Sequence, residues 1–231
     1  VLVDEADLAG SKMYQTVLTH LYNTRIRIGL SGTIYMSKLA KDKLKNMNLE
    51  AFFGKEMFKF TIKDSIKVGH STNTIVKLVP CIELYPENYK EIRVYQDEYD
   101  YNVIENKDSY KVITDRLKYN LSYGRLPALI VCKYIKHCEN LYKYISNALD
   151  PTYRVAYVHV NTPDKVRKSI MENFREGKID ILISTTIIAR GKNFPKLRYM
   201  INAAGMNSQE KSIQFLGRLV RTYEGKSRVY L

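Results

Sequence analysis

Two arginines three residues apart, Arg218 and Arg221, close the run Gln214-Phe215-Leu216-Gly217-Arg218-Leu219-Val220-Arg221. On a helix they would share a face. Such a guanidinium pair suits the γ-phosphate of a nucleotide held by a neighbouring domain. A solvated basic helix face would look the same. The chain opens on Val1-Leu2-Val3, which reads as a buried strand, and runs directly into Asp4-Glu5. A strand exit puts both carboxylates at the carboxyl edge of an α/β sheet, where such folds bind ligands. There Asp4 suits Mg²⁺ and Glu5 suits a water to be oriented or deprotonated. A plain polar strand exit is the alternative. Between these ends lies Ser184-Thr185-Thr186-Ile187-Ile188-Ala189-Arg190-Gly191-Lys192-Asn193-Phe194-Pro195. Ser184 and Thr185 leave a strand and can bond a phosphate of a nucleic-acid backbone. Gly191 lets the backbone turn tightly.

The elements that must position these residues alternate strand and helix. Lys12 to Tyr22 reads as a helix, with Val17, Leu18 and Leu21 at helical spacing. Ile26 to Leu30 reads as a strand running into Ser31-Gly32-Thr33, and Leu39 to Met47 as a helix. Phe58 to Val68 is mixed, and Glu87 to Asn106 shows no clear period. From Asp108 the alternation is clean. Helices are predicted over Asp108 to Tyr123, Ile135 to Leu149 and Gln209 to Thr222. Strands are predicted over Ala128 to Cys132, Arg154 to Val160, Ile179 to Ser184, Arg198 to Ala203 and Arg228 to Leu231. A further helix follows Thr162 as cap, with Pro163 and Asp164 in its first turn, Val166, Ile170 and Phe174 on one face, and Gly177 behind it. This pattern predicts an α/β fold with parallel sheets.

Lys and Arg number 37 against 24 Asp and Glu, a net charge of +13, which favours a polyanionic partner over an acidic or neutral one. A lysine-rich solubility surface would give the same balance. No apolar run approaches the ~20 residues of a membrane span. Cys81, Cys132 and Cys138 show no C-x-x-C spacing, which disfavours a disulfide or zinc framework and points to a reducing compartment, the cytoplasm, or the host's cytoplasm for a viral chain. Gly225-Lys226-Ser227 imitates the end of a phosphate-binding loop, but Val220 stands where that loop needs its first glycine, and a strand follows instead of a helix. No other G-K-[ST] occurs. Because the chain starts on a strand, a fragment is expected, with its phosphate-binding loop upstream of Val1.

In this order the three blocks resemble motifs II, V and VI of the superfamily 2 helicases and translocases. Ser31-Gly32-Thr33, 27 positions after Asp4, resembles motif III, which couples the nucleotide site to domain movement. His159 to Arg167 is similar to a domain 2 stretch, with Val160 where glycine is usual. The pattern T-x-x-x-A-R-G-x-x-x-P fits at Thr185, Ala189, Arg190, Gly191 and Pro195, although Asn193 stands where Asp is frequent. The chain spells DEAD at Asp4 to Asp7, yet Gln214 and Gly32 depart from the DEAD-box RNA helicases, which carry His and Ala there. Leu30 to Thr33, Phe52 to Lys55 and Tyr99 to Asn106 look most like phage DNA-directed translocases of the UvsW type, the branch-migration helicases.

The resemblance implies two RecA-like domains with mainly parallel sheets. The first, incomplete, covers 1–72 with motifs II and III, and the second covers 73–231 with motifs IV, V and VI. It implies ATP and Mg²⁺ as cofactors and duplex or branched DNA as substrate, bound with little sequence preference by a monomer. It assigns Glu5, Arg218 and Arg221 to catalysis, Asp4 to the metal, and Asp4, Gly191, Asn193 and Gln214 to the nucleotide. Ser31 and Thr33 fall to coupling, and Ser184, Thr185 and Arg190 to nucleic acid. The leading expectation is an ATP-driven DNA helicase of recombination, repair or fork processing. An RNA helicase, and a binding module of the same fold without catalysis, are the alternatives.

Overall fold

The computed structural model describes residues 1–32, 40–80, 95–186, 194–205, 216–217 and 219–231. Two compact units divide the chain, one containing Val1–Asp64, the other Ser65–Met206 and Leu216–Leu231. Ser65–Thr72 join the second unit because Ser71 bridges Arg221 in antiparallel fashion and the Thr72 amide donates to the carbonyl of Val220 at 2.7 Å.

In the first unit, β1 (Leu2–Val3) pairs in parallel with β2 (Ile28–Gly29), flanked by a 3-10 turn at Ala6–Gly10, α1 (Lys12–His20) and α2 (Ala40–Phe53). Ala9, Leu18 and Leu49 form its core. Of the three α1 residues at helical spacing, only Leu18 is buried, and Val17 and Leu21 are exposed. Val1 and Leu2 are exposed too, contrary to the buried strand expected there. Burying a strand needs cover on both faces, and among the described residues β1 has only β2 beside it. Gly29 is a packing requirement: a Cβ there would stand 2.9 Å from the Cβ of Ala6 and 3.1 Å from the Phe53 ring. The division between the units falls within α3 (Ile62–Lys67), a helix in a stretch whose sequence shows no period.

The second unit is built on a six-stranded, all-parallel sheet. Its strands are β3 (Asn73–Ile75), β4 (Ala128–Cys132), β5 (Val155–Val158), β6 (Ile181–Thr185), β7 (Tyr199–Asn202) and β8 (Arg228–Tyr230), in the order β3-β8-β7-β4-β6-β5. Every residue of the central strands β4 and β6 is buried, so their near-continuous apolar runs follow from cover on both faces. Leu117 of α5 (Lys107–Ser122) and Leu141 and Ile145 of α6 (Ile135–Ala148) join Ile130, Ile181 and Ile183 in one core, all without exposed surface. Each such side chain contributes about 1.5–3 kcal/mol by burial.

The local signals fare unevenly. α7 (Asp164–Glu176) ends at Gly177 in the left-handed region, φ 85°, as its position after the helix requires. Thr162 is not the cap. Its hydroxyl accepts from the His159 amide at 3.0 Å, which closes the strand-to-helix turn, and Pro163 precedes the helix without a side-chain bond. Met171 and Phe174 are the buried residues of α7, whereas Val166 is exposed. Asn106 caps α5 by accepting from the amides of Asp108 and Ser109.

The aperiodic stretch before Asn106 is helical where described, as α4 (Tyr95–Tyr99) followed by a π turn at Asp100–Ile104. It is held by packing. The buried Tyr99 meets Tyr134 edge-on at 4.9 Å and bonds His137 Nδ1 at 3.2 Å, and the Tyr110 hydroxyl donates to the carbonyl of Ile104. Burial pushes the pKa of His137 down to about 4 from 6.5. The unfolded chain therefore binds a proton that the folded chain refuses. Stability contributed by neutral His137 is complete above pH 6.5 and is lost as pH falls towards and through 4, by about 3 kcal/mol in all. Urea titrations at pH 7 and pH 4 should show that loss, and His137→Phe should reduce it.

Candidate functional site

In the first unit, strand β1 ends at Val3 and delivers Asp4 and Glu5 to the carboxyl edge of its sheet, both exposed. The Glu5 amide donates to Asp4 Oδ1 at 2.9 Å. Glu5 itself is held at φ 53°, a left-handed backbone that a non-glycine residue adopts at a cost. The Ala6 amide, which donates to the carbonyl of Leu30 at 2.9 Å, fixes this bend against the exit of β2. One turn on, the buried Asp7 accepts the hydroxyl of Ser31 at 2.6 Å. The acidic strand exit and Ser31 are thus one structure. Asp7 ties Ser31 to the acidic strand exit, and spacing does not reveal that link. Its only sequence signal is its place as the last letter of the acidic run. Thr33 lies outside the described residues.

In the second unit, β6 places Ser184 and Thr185 at its carboxyl end. Both are buried, and Ser184 Oγ donates to the carbonyl of Thr185 at 2.9 Å. Arg190, Gly191, Asn193, Gln214 and Arg218 lie outside the described residues. His159 Nε2 stands 3.3 Å from Glu139 Oε1, while Arg167 donates to the carbonyl of Val160 and pairs with Asp164, so both ends of the His159–Arg167 stretch brace one strand-to-helix turn.

Arg221 departs from the expected helix face. Leu216, Gly217 and Leu219 are helical, but Val220 is in a turn and Arg221 forms a β-bridge with Ser71. Competition for its carbonyls ends the helix. Lys226 Nζ donates to the carbonyls of Leu219 and Arg221, each at 2.7 Å, and to that of Pro195 at 3.1 Å. Thr72 Oγ1 adds a long bond to the Arg221 carbonyl at 3.4 Å. The backbone of Arg221 is clamped, while its side chain is exposed and makes no hydrogen bond or ion pair among the described residues. The Gly-Lys-Ser run is therefore structural. Gly225 turns at φ 71° and Lys226 faces inward, where burial first and the Arg198 charge second push its pKa down to about 8. Lys226→Met removes three charge-assisted bonds and leaves buried carbonyls unpaired. It should cost about 3 kcal/mol, read as a lower urea midpoint for the second unit.

Residues 110–223 match the helicase conserved C-terminal domain family. The chain belongs to the superfamily 2 helicases, and its parallel α/β architecture is the one that family uses. Among curated relatives, it is 25% identical to the ATP-dependent DNA helicase uvsW of Enterobacteria phage T4, over 97% of this chain and 43% of that one. It is 24% identical to the ATP-dependent RNA helicase dbp3 of Sclerotinia sclerotiorum, over 96% of this chain and 33% of that one. It spans less than half the length of either relative. Among solved structures, a fragment assigned as the HsdR subunit of a type I restriction enzyme from Vibrio vulnificus YJ016 superposes with a TM-score of 0.68 at 18% identity, covering 99% of this chain and 42% of that one.

Proposed function

We propose that the chain is the motor portion of an ATP-dependent DNA helicase or translocase that remodels duplex or branched DNA in recombination, repair or fork processing. The observation that carries the ATP-driven reading is Arg221: a clamped backbone presenting an exposed guanidinium that is unpaired among the described residues. The clamp fixes the point of the chain from which the guanidinium reaches out to charge on a transferring phosphoryl group. Asp4 would hold Mg²⁺ and Glu5 would orient water, both oxygen-rich and exposed as a hard cation and a solvent nucleophile need. Gly191, Asn193 and Gln214 would meet the nucleotide, Arg218 would join Arg221, and Ser31 with Thr33 would couple the site to movement. Thr185 and Arg190 would follow the sugar–phosphate backbone with little regard for sequence, and Ser184, which has no exposed surface, would brace Thr185 through its carbonyl.

DNA is favoured over RNA by Gln214 and Gly32, since the similarities to the T4 DNA helicase and to dbp3 are nearly equal in identity and extent. The similarity to dbp3 makes structured RNA the competitor to test. The experiment is competition for binding among branched DNA, duplex DNA and structured RNA across a salt series. Affinity should fall steeply with salt and branched DNA should compete best. Salt-insensitive binding, or RNA as the strongest competitor, would overturn the DNA assignment.

A further inference from the structure

The amino-terminal edge of the second sheet carries a basic cleft that the proposed chemistry does not use. Its volume is ≈ 480 Å³, and Tyr123, Arg125, Arg198, Ser227, Arg228 and Tyr230 line it. The three arginines come from the approaches to β4, β7 and β8, so they lie at the sheet end opposite Ser184 and Thr185. We propose that this cleft is a second nucleic-acid contact, binding the phosphodiester backbone of a strand, with Tyr123 offering a face to an unstacked base. The proposal rests on the nucleic-acid-binding part of the function proposed above and extends it to a surface remote from the helicase motifs.

Three observations carry it. Arg125 is organised in advance. Its guanidinium lies 3.6 Å from the centroid of the Tyr230 ring and 4.8 Å from that of Tyr123, and Nη1 donates to Asn120 Oδ1 at 2.7 Å. Stacking uses the faces of the guanidinium and one bond uses one donor, so the remaining in-plane donors are open to phosphate oxygens. Arg198 is fixed in a similar way, by Nη2 donating to the carbonyl of Gly225 at 3.1 Å. Next, no carboxylate is bonded to this charge among the described residues. None of the three arginines forms an ion pair among the described residues. Asp180, on the same sheet edge, is occupied by the two-pronged pair with Arg154 at 2.7 and 2.9 Å, and Glu224 in the adjoining turn is exposed and unpaired. Finally, Tyr123 is 61% exposed and packs against Tyr119 at 5.0 Å between centroids, which gives a rigid aromatic surface beside the charge. Guanidinium donors alternating with aromatic faces are what a single strand needs, since backbone and bases are then held together.

The test uses the full chain and a labelled oligothymidylate. Arg125→Gln with Arg228→Glu should weaken strand binding about tenfold and flatten its salt dependence by one to two phosphates' worth. Lys165→Glu with Lys168→Glu, on α7, is the control for lost positive charge. A photoreactive phenylalanine at Tyr123 should cross-link the strand, and pyrophosphate should prevent it no better than sulfate at the same ionic strength. Binding by the cleft variant within twofold of the control, or no cross-link at Tyr123, overturns the proposal. Cross-linking abolished by pyrophosphate but not by sulfate at the same ionic strength also overturns it, in favour of a site for free phosphates. If the unaltered chain binds no strand at all, the proposed function itself fails. Strand binding that survives loss of the cleft refutes only the second contact.

Discussion

Arg221→Ala and Arg218→Ala are each expected to lower nucleic-acid-stimulated ATP turnover by roughly 10³-fold or more in a form of the protein that carries the complete nucleotide site. The expectation follows from where Arg221 is attached. Three donors act on this segment: the Thr72 amide and hydroxyl take the Val220 and Arg221 carbonyls, and Lys226 takes those of Leu219, Arg221 and Pro195. All of these bonds use backbone carbonyls, so truncating the Arg221 side chain leaves them in place. It also opens no cavity, because the side chain is exposed. The melting temperature of Arg221→Ala should therefore stay close to the parent's while turnover collapses. An arginine acting on developing charge lowers kcat and kcat/KM together, with little change in nucleic-acid affinity measured without nucleotide. Wild-type turnover in either variant would remove that residue from the mechanism. Unfolding would make it a packing residue. Arg218 lies outside the described residues, and its share of the expectation comes from the motif alone.

The legible parts of this fold are those where one physical signal dominates. β4 and β6 are read correctly because a strand covered on both faces has to be almost continuously apolar, and Ala128–Cys132 and Ile181–Ile183 meet that demand. Gly177 is legible for a similar reason, since few other residues end a helix in the left-handed region. The failures occur where a tertiary contact outweighs the local pattern. Tyr95–Ile104 has no amphipathic period because two buried residues five apart anchor it, Tyr99 through Tyr134 and His137 and Ile104 beside Tyr110, and that spacing is not a helical one. Thr162 has the right type and place for a cap, but the His159 amide takes its oxygen first. Arg221 looks like the next residue on a helix face until Lys226, five residues further along, captures the carbonyls that would continue the helix. The same lysine explains why Gly-Lys-Ser misleads. The motif signals a small turn followed by an ammonium, and only the fold decides whether that ammonium meets a phosphate or the protein's own carbonyls. In the proposed site, the acidic pair and the arginine are assigned from type and order alone. Asp7 is not, because its role comes from a hydrogen bond to Ser31, 24 residues away.

Assayed alone, the 231-residue chain is expected to release no phosphate from ATP and to bind ATP only weakly, while still binding DNA. Hydrolysis needs a triphosphate cradled by backbone amides and a lysine, a cation to bridge its oxygens, and a placed water. In the proposed function Asp4 would hold the second of these and Glu5 would place the third. For the first, the sequence contains one G-K-[ST], and its lysine is spent. Lys226 is buried with its three donors on the carbonyls of Pro195, Leu219 and Arg221. Turning it outward to a phosphate would break all three bonds and leave those carbonyls unpaired. A nucleotide approaching Asp4 and Glu5 without a cradle meets two exposed carboxylates, and its own negative charge is repelled. Nucleic-acid binding needs none of this, since it draws on the excess of 37 basic over 24 acidic residues. The measurement is phosphate release by the purified chain, with Asp4→Asn as the control for contaminating hydrolases. Turnover that persists in Asp4→Asn is contamination. Turnover that vanishes in Asp4→Asn would show that these residues bind and cleave ATP unaided. In that case Lys226→Met would decide whether the buried lysine swings out to serve as the missing cradle.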